Sequence, residues 1–467
     1  MNRTFPRQAR RPFLSLLPGV VLLLALAGTA AELRGAEDPA APPLEVGLAR
    51  LNITPPVGDA HYRGQSTAVA DPLWAKVLYL RQGEVEAAFV LCDVISVRYD
   101  MAQSIRRRAA EATGIPLEHI AVAATHTHTG RFASEGLEET MAKIAAAVGT
   151  AQQEAKPMAI AAGTAEQEGL AFNRRFLMKD GSVRFNPGFQ NPGIVEAVGP
   201  VDPEVGIVLF RDPASRQPLA SLISFALHLD TVASTEYSAD YPYFIEETLR
   251  RELGDSFDSL FGLGACGNVN HFDVSGPPPT PGPEGITREI GVALGETILE
   301  ALPELVPAQP VLAVRQTVVD APLQTYTDEE LAWAESYPQN REPLVEERVF
   351  LQQRRAAKIR SLAEMRARWG DTYPLEVQVF RLSDQAALVT LPGEVFVELG
   401  LDIKAGSPFP ATLIVELAND APAYIPNREA FPQGDYEVIN SRVAAGSGEM
   451  LVAAAIEMLE ELASSEE

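Results

Sequence analysis

The most informative side chains in this sequence are its histidines, because only six occur among 467 residues. His126 and His128 follow a run of small apolar residues, 120–124, that is typical of a buried strand. In an extended chain, side chains two residues apart point to the same side at a spacing of about 6.5 Å, so both imidazoles can address one centre. His228 ends a second apolar run, 219–227, at the same kind of strand-to-loop junction. The pattern predicts a metal or catalytic site, with surface imidazoles of no chemical role as the alternative.

A divalent cation at such a centre would provide hydrolytic chemistry. Zinc held by three or more protein groups lowers the pKa of its water from about 15.7 to about 7. Cys92 and Cys266 are too few for a disulfide framework or a cysteine-rich zinc site, and we expect both to be buried thiols. The ligands must then be histidine, carboxylate or tyrosine, which also suit iron or manganese. Glu394 follows a third apolar run, but on the residues alone a carboxylate near a helix start explains it better.

Short apolar runs typical of strands alternate with helical patterns from residue 46 onward. This alternation predicts an α/β fold with mixed, largely parallel β-sheets flanked by helices. It also predicts that the site lies at the carboxyl ends of the strands. A charged helical pair is expected at 328–336 and 341–369. The pattern restarts with a strand at 311–318, which suggests a sub-boundary near residue 308.

Composition and charge narrow the class of protein. Hydrophobic residues make up 46% and charged residues 22% of the chain, which is ordinary for one large or two medium globular domains. The 38 basic and 63 acidic residues give a net charge of 38 − 63 = −25, which makes nucleic acid an unsuitable partner. A single long apolar run excludes a polytopic membrane protein.

The N-terminal segment has the composition of an export signal. Several arginines precede an apolar run of about 15 residues, 13–27, and small residues follow it, as in a secretory signal peptide. A membrane anchor needs about 20 apolar residues, and Pro18 interrupts this run. We therefore predict a signal peptide at 1–31, an Ala/Pro-rich tether at 32–44, and a periplasmic or secreted protein. The pair Arg10-Arg11 also resembles a twin-arginine signal.

Separated motifs in the sequence resemble the neutral (non-lysosomal) ceramidase family. Residues 46–58, VGLARLNITPPVG, look like the opening of that family, and residues 124–130, ATHTHTG, are similar to its most specific motif. The resemblance extends from about Val46 to the C-terminus. The further matching segments, in chain order, are DPLWAK at 71–76, TGIP at 113–116, NR at 173–174, LPGE at 391–394 and LAND at 417–420 with Tyr424.

The resemblance implies a zinc-dependent hydrolase that cleaves the amide of N-acylsphingosines, with one zinc ion per chain. It assigns the metal ligands to four side chains, which are His126, His228, Glu394 and Tyr424. It assigns contacts with the substrate and the transition state to His128 and Arg174, and a place facing the scissile carbonyl to Tyr436. In that arrangement Arg174, His128 and Tyr436 can donate to the developing oxyanion, and an imidazole can protonate the departing amine.

Two departures from the family pattern affect these expectations. Asn270 replaces the serine of the family's Gly-Asp-x-Ser-Pro motif, and a carboxamide cannot be a nucleophile. Either zinc-bound water attacks, with Asn270 as a hydrogen-bonding partner, or the activity is lost. His271, in place of the proline, adds a proton carrier or is a loop residue without a role. The sequence ends where characterised relatives continue into a β-sandwich, so residues 45–467 are expected to be the catalytic domain alone.

The favoured hypothesis is an exported zinc-dependent amide hydrolase with a lipid-like N-acyl amide substrate such as ceramide, and peripheral membrane contact is compatible with it. A non-catalytic lipid-binding relative and a zinc amidase for another N-acyl substrate are the alternatives. Asp240 is interpreted as an exposed loop carboxylate, with orientation of a metal ligand as the second interpretation. The oligomeric state is not specified by the sequence.

Overall fold

The computed structural model describes residues 42–61, 63–133, 135–280, 285–338 and 347–465. The predicted signal peptide and nearly all of the predicted tether lie outside the described residues. From Pro42 onward the chain forms one compact unit. In the part of the chain that is described, no helix has the length and apolar character needed to cross a membrane.

Strands form most of the framework. In chain order they are β1 (Glu45–Asn52), β2 (Ala60–His61), β3 (Gly64–Gln65), β4 (Trp74–Gln82), β5 (Val85–Cys92), β6 (Ile120–Ala124), β7 (Lys156–Pro157), β8 (Ala159–Glu166), β9 (Phe172–Asn173), β10 (Arg175–Met178), β11 (Val183–Phe185), β12 (Ile194–Ala197), β13 (Glu204–Arg211), β14 (Pro218–Phe225), β15 (Asp258–Leu263), β16 (Val269–Asn270), β17 (Val306–Ala308), β18 (Pro310–Pro322), β19 (Thr372–Ser383), β20 (Ala386–Thr390), β21 (Glu394–Val395), β22 (Ala411–Val415) and β23 (Tyr424–Ile425).

Helices connect and cover the strands. They are α1 (Tyr99–Thr113), α2 (Leu137–Gln153), α3 (Tyr241–Leu253), α4 (Ile286–Ala301), α5 (Asp328–Ser336), α6 (Glu347–Trp369), α7 (Val397–Gly406), α8 (Ala430–Gln433), α9 (Tyr436–Asn440) and α10 (Ser447–Ser464), with a short 3₁₀ turn at Leu117–His119.

Three larger sheets organise the fold, with strand orders β6-β5-β4-β1-β7, β15-β14-β13-β8-β17 and β18-β19-β20-β22. Each sheet contains a single parallel pair at one edge, namely β5–β6, β14–β15 and β20–β22, and its other neighbours are antiparallel. The α/β class is thus confirmed, but the prediction of largely parallel sheets is wrong.

Short connections explain part of the antiparallel pairing. β4 and β5 are joined by two residues, with Gly83 at φ +58, and a link of that length can only connect antiparallel neighbours. Parallel neighbours occur only where a helix crosses over between the strands. These crossover helices are α1 between β5 and β6, α3 between β14 and β15, and α7 between β20 and β22.

The three sheets share an apolar core, and helices cover their other faces. Strand residues alternate between the two: Leu78 faces the shared core, whereas Tyr79 packs with residues of α1 and α2. Phe89 of the first sheet and Phe380 of the third meet edge to face in this core, with ring centroids 4.4 Å apart. A further cluster joins the third sheet to α7 and α10. This packing brings the carboxyl ends of β6, β14, β20 and β22 toward one region, where an isolated bridge links Ala123 and Ala418.

Candidate metal centre

His126 and His228 face each other from two different sheets. His126 follows the end of β6 and His228 follows the end of β14; both are buried, and their Nε2 atoms are 3.2 Å apart. Nδ1 of His126 lies 2.6 Å from the carbonyl oxygen of Ile95 and donates to it, which leaves a lone pair on Nε2. Two nitrogens bound tetrahedrally to zinc at about 2.0–2.1 Å lie about 3.3 Å apart. The observed separation therefore fits one cation shared by both imidazoles.

The backbone at His126 is held in an unusual conformation. Its φ of +76° lies in the left-handed region, which costs free energy for any residue with a Cβ. The His126 amide donates to the carbonyl of Val94 at 3.0 Å, which anchors this conformation to the loop after β5. Such strain persists where the surrounding structure enforces it, and here it turns the imidazole toward His228.

Glu394 and Tyr424 reach the same place from the segments that follow β20 and β22 of the third sheet. They are direct partners in the short parallel pair β21–β23. Oε2 of Glu394 is buried, lies 3.5 Å from Nε2 of His126, and accepts no hydrogen bond from the described residues. Gly393, at φ +79°, makes the turn possible, because a Cβ there would come within 2.5 Å of the Ala423 carbonyl oxygen. The carboxylate thus places an acceptor atom close to the His126 imidazole.

The protonation states of these groups suit a cation. Burial lowers the pKa of His228 well below its usual value, and the charges of His126 and Arg174 lower it further, so the imidazole is neutral. Burial raises the pKa of Glu394, but the combined influence of His126, Tyr424 and Arg174 outweighs it, and the carboxyl stays ionised. Burial and the Glu394 charge raise the pKa of Tyr424, so a phenolate there requires a bound cation to stabilise it. Two imidazoles, a carboxylate and a phenol form a donor set that fits zinc.

His128 is the third member of the histidine cluster. Its ring centroid is 4.9 Å from that of His126 and 5.1 Å from that of His228. One ligand atom from each of the three rings can be chosen so that all lie within 4.8 Å of one another. Nδ1 of His128 is 3.4 Å from Oδ1 of Asp230, a carboxylate that also receives Arg63 at 2.7 Å. Burial lowers the pKa of His128 well below its usual value, so the imidazole is neutral at pH 7.

Arg174 carries a buried positive charge beside the centre. Its Nε donates to Glu437 at 2.9 Å and its Nη2 to the Gly267 carbonyl at 2.6 Å, and its guanidinium carbon lies 5.5 Å from the Tyr424 ring centroid. Burial alone would lower the pKa of Arg174, but Tyr424 and Glu437 outweigh it and raise the pKa. Glu437, itself fully buried, also accepts from Arg175 at 2.8 Å. The sequence motifs did not indicate Glu437, because its two partners are about 260 positions away.

Tyr436 and Asn270 occupy different surroundings. Tyr436 begins α9, with its ring 5.6 Å from that of Tyr424 and 4.7 Å from that of Phe185. Asn270 lies in β16, where its Nδ2 donates to Oδ1 of Asn186 at 2.9 Å. The structure therefore brings Tyr436 beside the candidate ligands, whereas Asn270 is engaged with another loop. The catalytic roles of both residues stay predictions.

Cys266 and Glu416 contact the segments that carry His228 and Glu394. Sγ of Cys266 is 4.0 Å from Nδ1 of His228 and donates to Oε1 of Glu416 at 3.3 Å. Oε2 of Glu416 accepts the amide of Val395, the residue after Glu394, at 2.5 Å. Burial, together with the Glu394 charge, raises the pKa of Glu416 well above its usual value. Cys92 and Cys266 are free and buried, as predicted.

Asp240 corrects a prediction made from the sequence. It is only 1% exposed and caps α3, accepting from the amides of Tyr241 and Thr231 at 2.7 and 3.1 Å. The interpretation as an exposed loop carboxylate is wrong, because these contacts bury the side chain and fix the loop that follows Asp230.

At the position after Asn270, burial lowers the pKa of His271 to about 4.

A cavity of about 1040 Å³ opens beside the centre. His126, His128, Glu394, Tyr424 and Tyr436 line one part of it. The apolar part of its wall contains Ile95, Met101, Phe132, Leu137, Phe350 and Leu417. A cavity of this size and character accommodates a lipid-sized ligand next to the candidate ligands.

Comparisons with known proteins identify the fold. No family model and no curated protein matches the sequence. Among solved structures, the neutral ceramidase from Pseudomonas aeruginosa is similar over 91% of this chain and 76% of its own, with a TM-score of 0.68 and 17% identity. A ceramidase complexed with C2 is similar over the same shares of the two chains, with a TM-score of 0.66 and 18% identity. These matches confirm the fold that the sequence motifs indicated.

Proposed function

We propose that this chain is an exported metal-dependent amide hydrolase, and that it cleaves a lipid-like N-acyl amine, such as a ceramide, into a fatty acid and an amine. The observation that carries the proposal is the position of His126 beside two other candidate ligands at a lipid-sized cavity. Its Nε2 lies 3.2 Å from Nε2 of His228 and 3.5 Å from Oε2 of Glu394. The fold shared with two ceramidase structures supports the same reaction class.

The four candidate ligands would hold one zinc ion, with His126 and His228 as nitrogen donors and Glu394 and Tyr424 as oxygen donors. Zinc bound there supplies a Lewis acid and a water of lowered pKa. Water is the nucleophile of the proposed reaction because Asn270, at the position of the family serine, has no nucleophilic oxygen.

The protein residues around the centre have distinct parts in this reaction. His128 accepts a proton from the attacking water and returns it to the amide nitrogen as the C–N bond breaks. Arg174 and Tyr436 donate hydrogen bonds to the carbonyl oxygen as its negative charge develops. Asp230 orients His128, and Glu437 holds Arg174 in place.

Metal content and turnover together test this proposal. We expect the purified protein to contain about one zinc per chain and to hydrolyse a fluorogenic N-dodecanoyl amide. His126→Ala should lose both properties, whereas His119→Gln should keep them, since His119 lies outside the cavity wall and bonds to the Glu86 carbonyl. Active protein without a bound metal would refute the mechanism. Stoichiometric metal with no turnover on any acyl amide would instead support a non-catalytic lipid-binding protein, the alternative that Asn270 raises.

Export is a separate part of the proposal and has its own test. Residues 1–31 fused to a reporter should deliver it across the membrane, and the mature N-terminus should lie near residue 32. Replacement of Arg10-Arg11 by Lys-Lys should block delivery only if the twin-arginine route is used. A reporter retained in the cytoplasm would contradict the proposed location.

A further inference from the structure

The wall of the large cavity carries far more positive charge than the rest of the chain. It contains five arginines, Arg98, Arg131, Arg354, Arg360 and Arg442, and its single carboxylate among the described residues is Glu394. The whole chain has a net charge of −25. Five cations against one anion in so acidic a protein indicate a local requirement for positive charge.

Helix α6 presents two of these arginines, Arg354 and Arg360, to the cavity. Phe350, Gln353, Arg354 and Ala357 occur at intervals of three and four residues and line the cavity together. The guanidinium of Arg354 lies over the Phe350 ring, 5.0 Å from its centroid. Its buried Nε donates to no acceptor among the described residues.

Arg442 approaches the same space from the segment after α9. Its Nη1 donates to the Asn440 carbonyl and its Nε lies 3.5 Å from Oγ of Ser361. Within the described ranges, neither Arg442 nor Arg354 forms an ion pair with a carboxylate. Both side chains are half-buried, and a guanidinium partly shielded from water without a counter-ion favours a ligand anion as its partner.

The mutual influence of the cations agrees with this geometry. Burial, helped by the positive charges of Arg354 and Arg98 and opposed by the charge of Glu394, lowers the pKa of Arg442 to about 10. Burial also lowers the pKa of Lys358, to about 8, with Arg442 as the next cause. An anion between these groups would relieve the repulsion among them.

The other arginines of the wall are explained differently. Arg360 donates to the Ala334 carbonyl, which ties α6 to α5. Arg98 and Arg131 are exposed and contribute to the potential around the cavity. Arg354 and Arg442 are therefore the pair that a bound anion can satisfy.

We propose that Arg354 and Arg442 bind an anionic group on the amine portion of the substrate, so that the preferred substrates are N-acyl amines bearing a carboxylate or a phosphate. This inference rests on the proposed amide hydrolase activity and specifies its substrate class. The fatty acyl chain occupies the apolar wall around Phe132 and Leu137, and the guanidinium groups form charge-assisted hydrogen bonds with the anion. A neutral N-acyl amino alcohol leaves both arginines without that partner.

Three matched substrates test the inference on the metal-loaded protein. N-Dodecanoylglycine carries a carboxylate, N-dodecanoylethanolamine phosphate carries a phosphate, and N-dodecanoylethanolamine is neutral. We expect one or both charged amides to exceed the neutral one in kcat/KM by about 10- to 100-fold, the effect of hydrogen bonds to a charged group. The better of the two charged amides identifies the anion.

Variants assign the preference to the two arginines. Arg354→Gln and Arg442→Gln should raise KM for the charged amide by about tenfold or more and leave the neutral amide within about twofold. Arg355→Gln is the matched control, because Arg355 is the next residue in α6 but is exposed and pairs with Glu330. Arg355→Gln should leave KM unchanged for both the charged and the neutral amide.

Several results would overturn the inference. Equal kcat/KM for charged and neutral amides in the unmodified protein would do so while leaving the proposed hydrolase intact, as would equal losses on both substrates in the two variants. If no amide is cleaved, the hydrolase proposal fails, and equilibrium binding of the same amides to the unmodified protein then decides the inference. Tighter binding of a charged amide than of the neutral amide supports the anion site, and equal binding refutes it.

Discussion

Replacing Glu437 by glutamine should destabilise the protein, because one carboxylate neutralises two buried guanidinium groups. Its oxygens accept from Arg174 at 2.9 Å and from Arg175 at 2.8 Å, and none of the three side chains is more than 5% exposed. Glutamine keeps the shape and one acceptor but removes the negative charge. Breaking a buried ion pair from one side costs about 3–5 kcal/mol.

The expected loss can be measured as a shift in melting temperature. At about 2.1 cal/mol/K per residue, roughly 420 folded residues have an unfolding entropy near 0.9 kcal/mol/K, so the variant should melt about 3 to 6 °C lower. Circular dichroism during heating measures this shift. Turnover should also fall, because Arg174 loses the contact that positions it beside Tyr424.

Glu138→Gln provides a matched change of charge at the surface. Its partner Arg108 is 42% exposed and Glu138 itself 75% exposed, so the pair contributes at most about 1 kcal/mol. If Glu437→Gln melts within about 1 °C of this control, the reasoning from buried charge is refuted.

Three further predictions concern the metal, the pH dependence and the backbone. Chelation should lower the melting temperature of the protein and added zinc should restore it, with a smaller change in Glu394→Gln; a melting temperature that does not respond to chelator would argue against a metal held by the folded state. Burial raises the pKa of Asp71 to about 6 from an unfolded value near 3.8. Between these two pH values the folded state therefore binds more protons than the unfolded state. The contribution of Asp71 to the free energy of unfolding should decrease as pH rises from about 4 to 6 and stay level above pH 6. Denaturant titrations of Asp71→Asn should lack that slope, and identical pH profiles for the two proteins would contradict the assignment. Gly393→Ala should weaken metal binding by about tenfold, because φ is +79° and the added Cβ meets the Ala423 carbonyl, and unchanged zinc affinity in a competition titration would show that the turn tolerates the change.

The sequence predicted the residues of the site better than it predicted the arrangement of strands in the sheets. His126, His228 and Glu394 each follow an apolar run at a strand end, so their positions were visible locally, and the structure brings them together. Their approach depends on the packing of three sheets, and only the family resemblance suggested that they would meet. The helix predicted at 341–369 is observed from Glu347, and its residues before 347 lie outside the described range.

The sequence carried much less information about whether neighbouring strands are parallel or antiparallel. Apolar periodicity is identical in parallel and antiparallel strands. The two-residue link at Gly83 indicated a hairpin, but only for β4 and β5. Asp240 also had a local signal, since it precedes a helix with proline near its start, a pattern typical of an N-cap. Glu437, Arg354 and Arg442 had none, because their importance lies in contacts made across the fold.

Glu416 links two of the segments that carry the candidate ligands. One of its oxygens accepts from the Val395 amide and the other from the Cys266 thiol, so it connects the turn at Glu394 to the cysteine beside His228. If this connection holds the candidate ligands at a fixed separation, the site would discriminate among divalent cations by their ionic radius. Selectivity among divalent ions would then be tuned from a residue that never touches the ion.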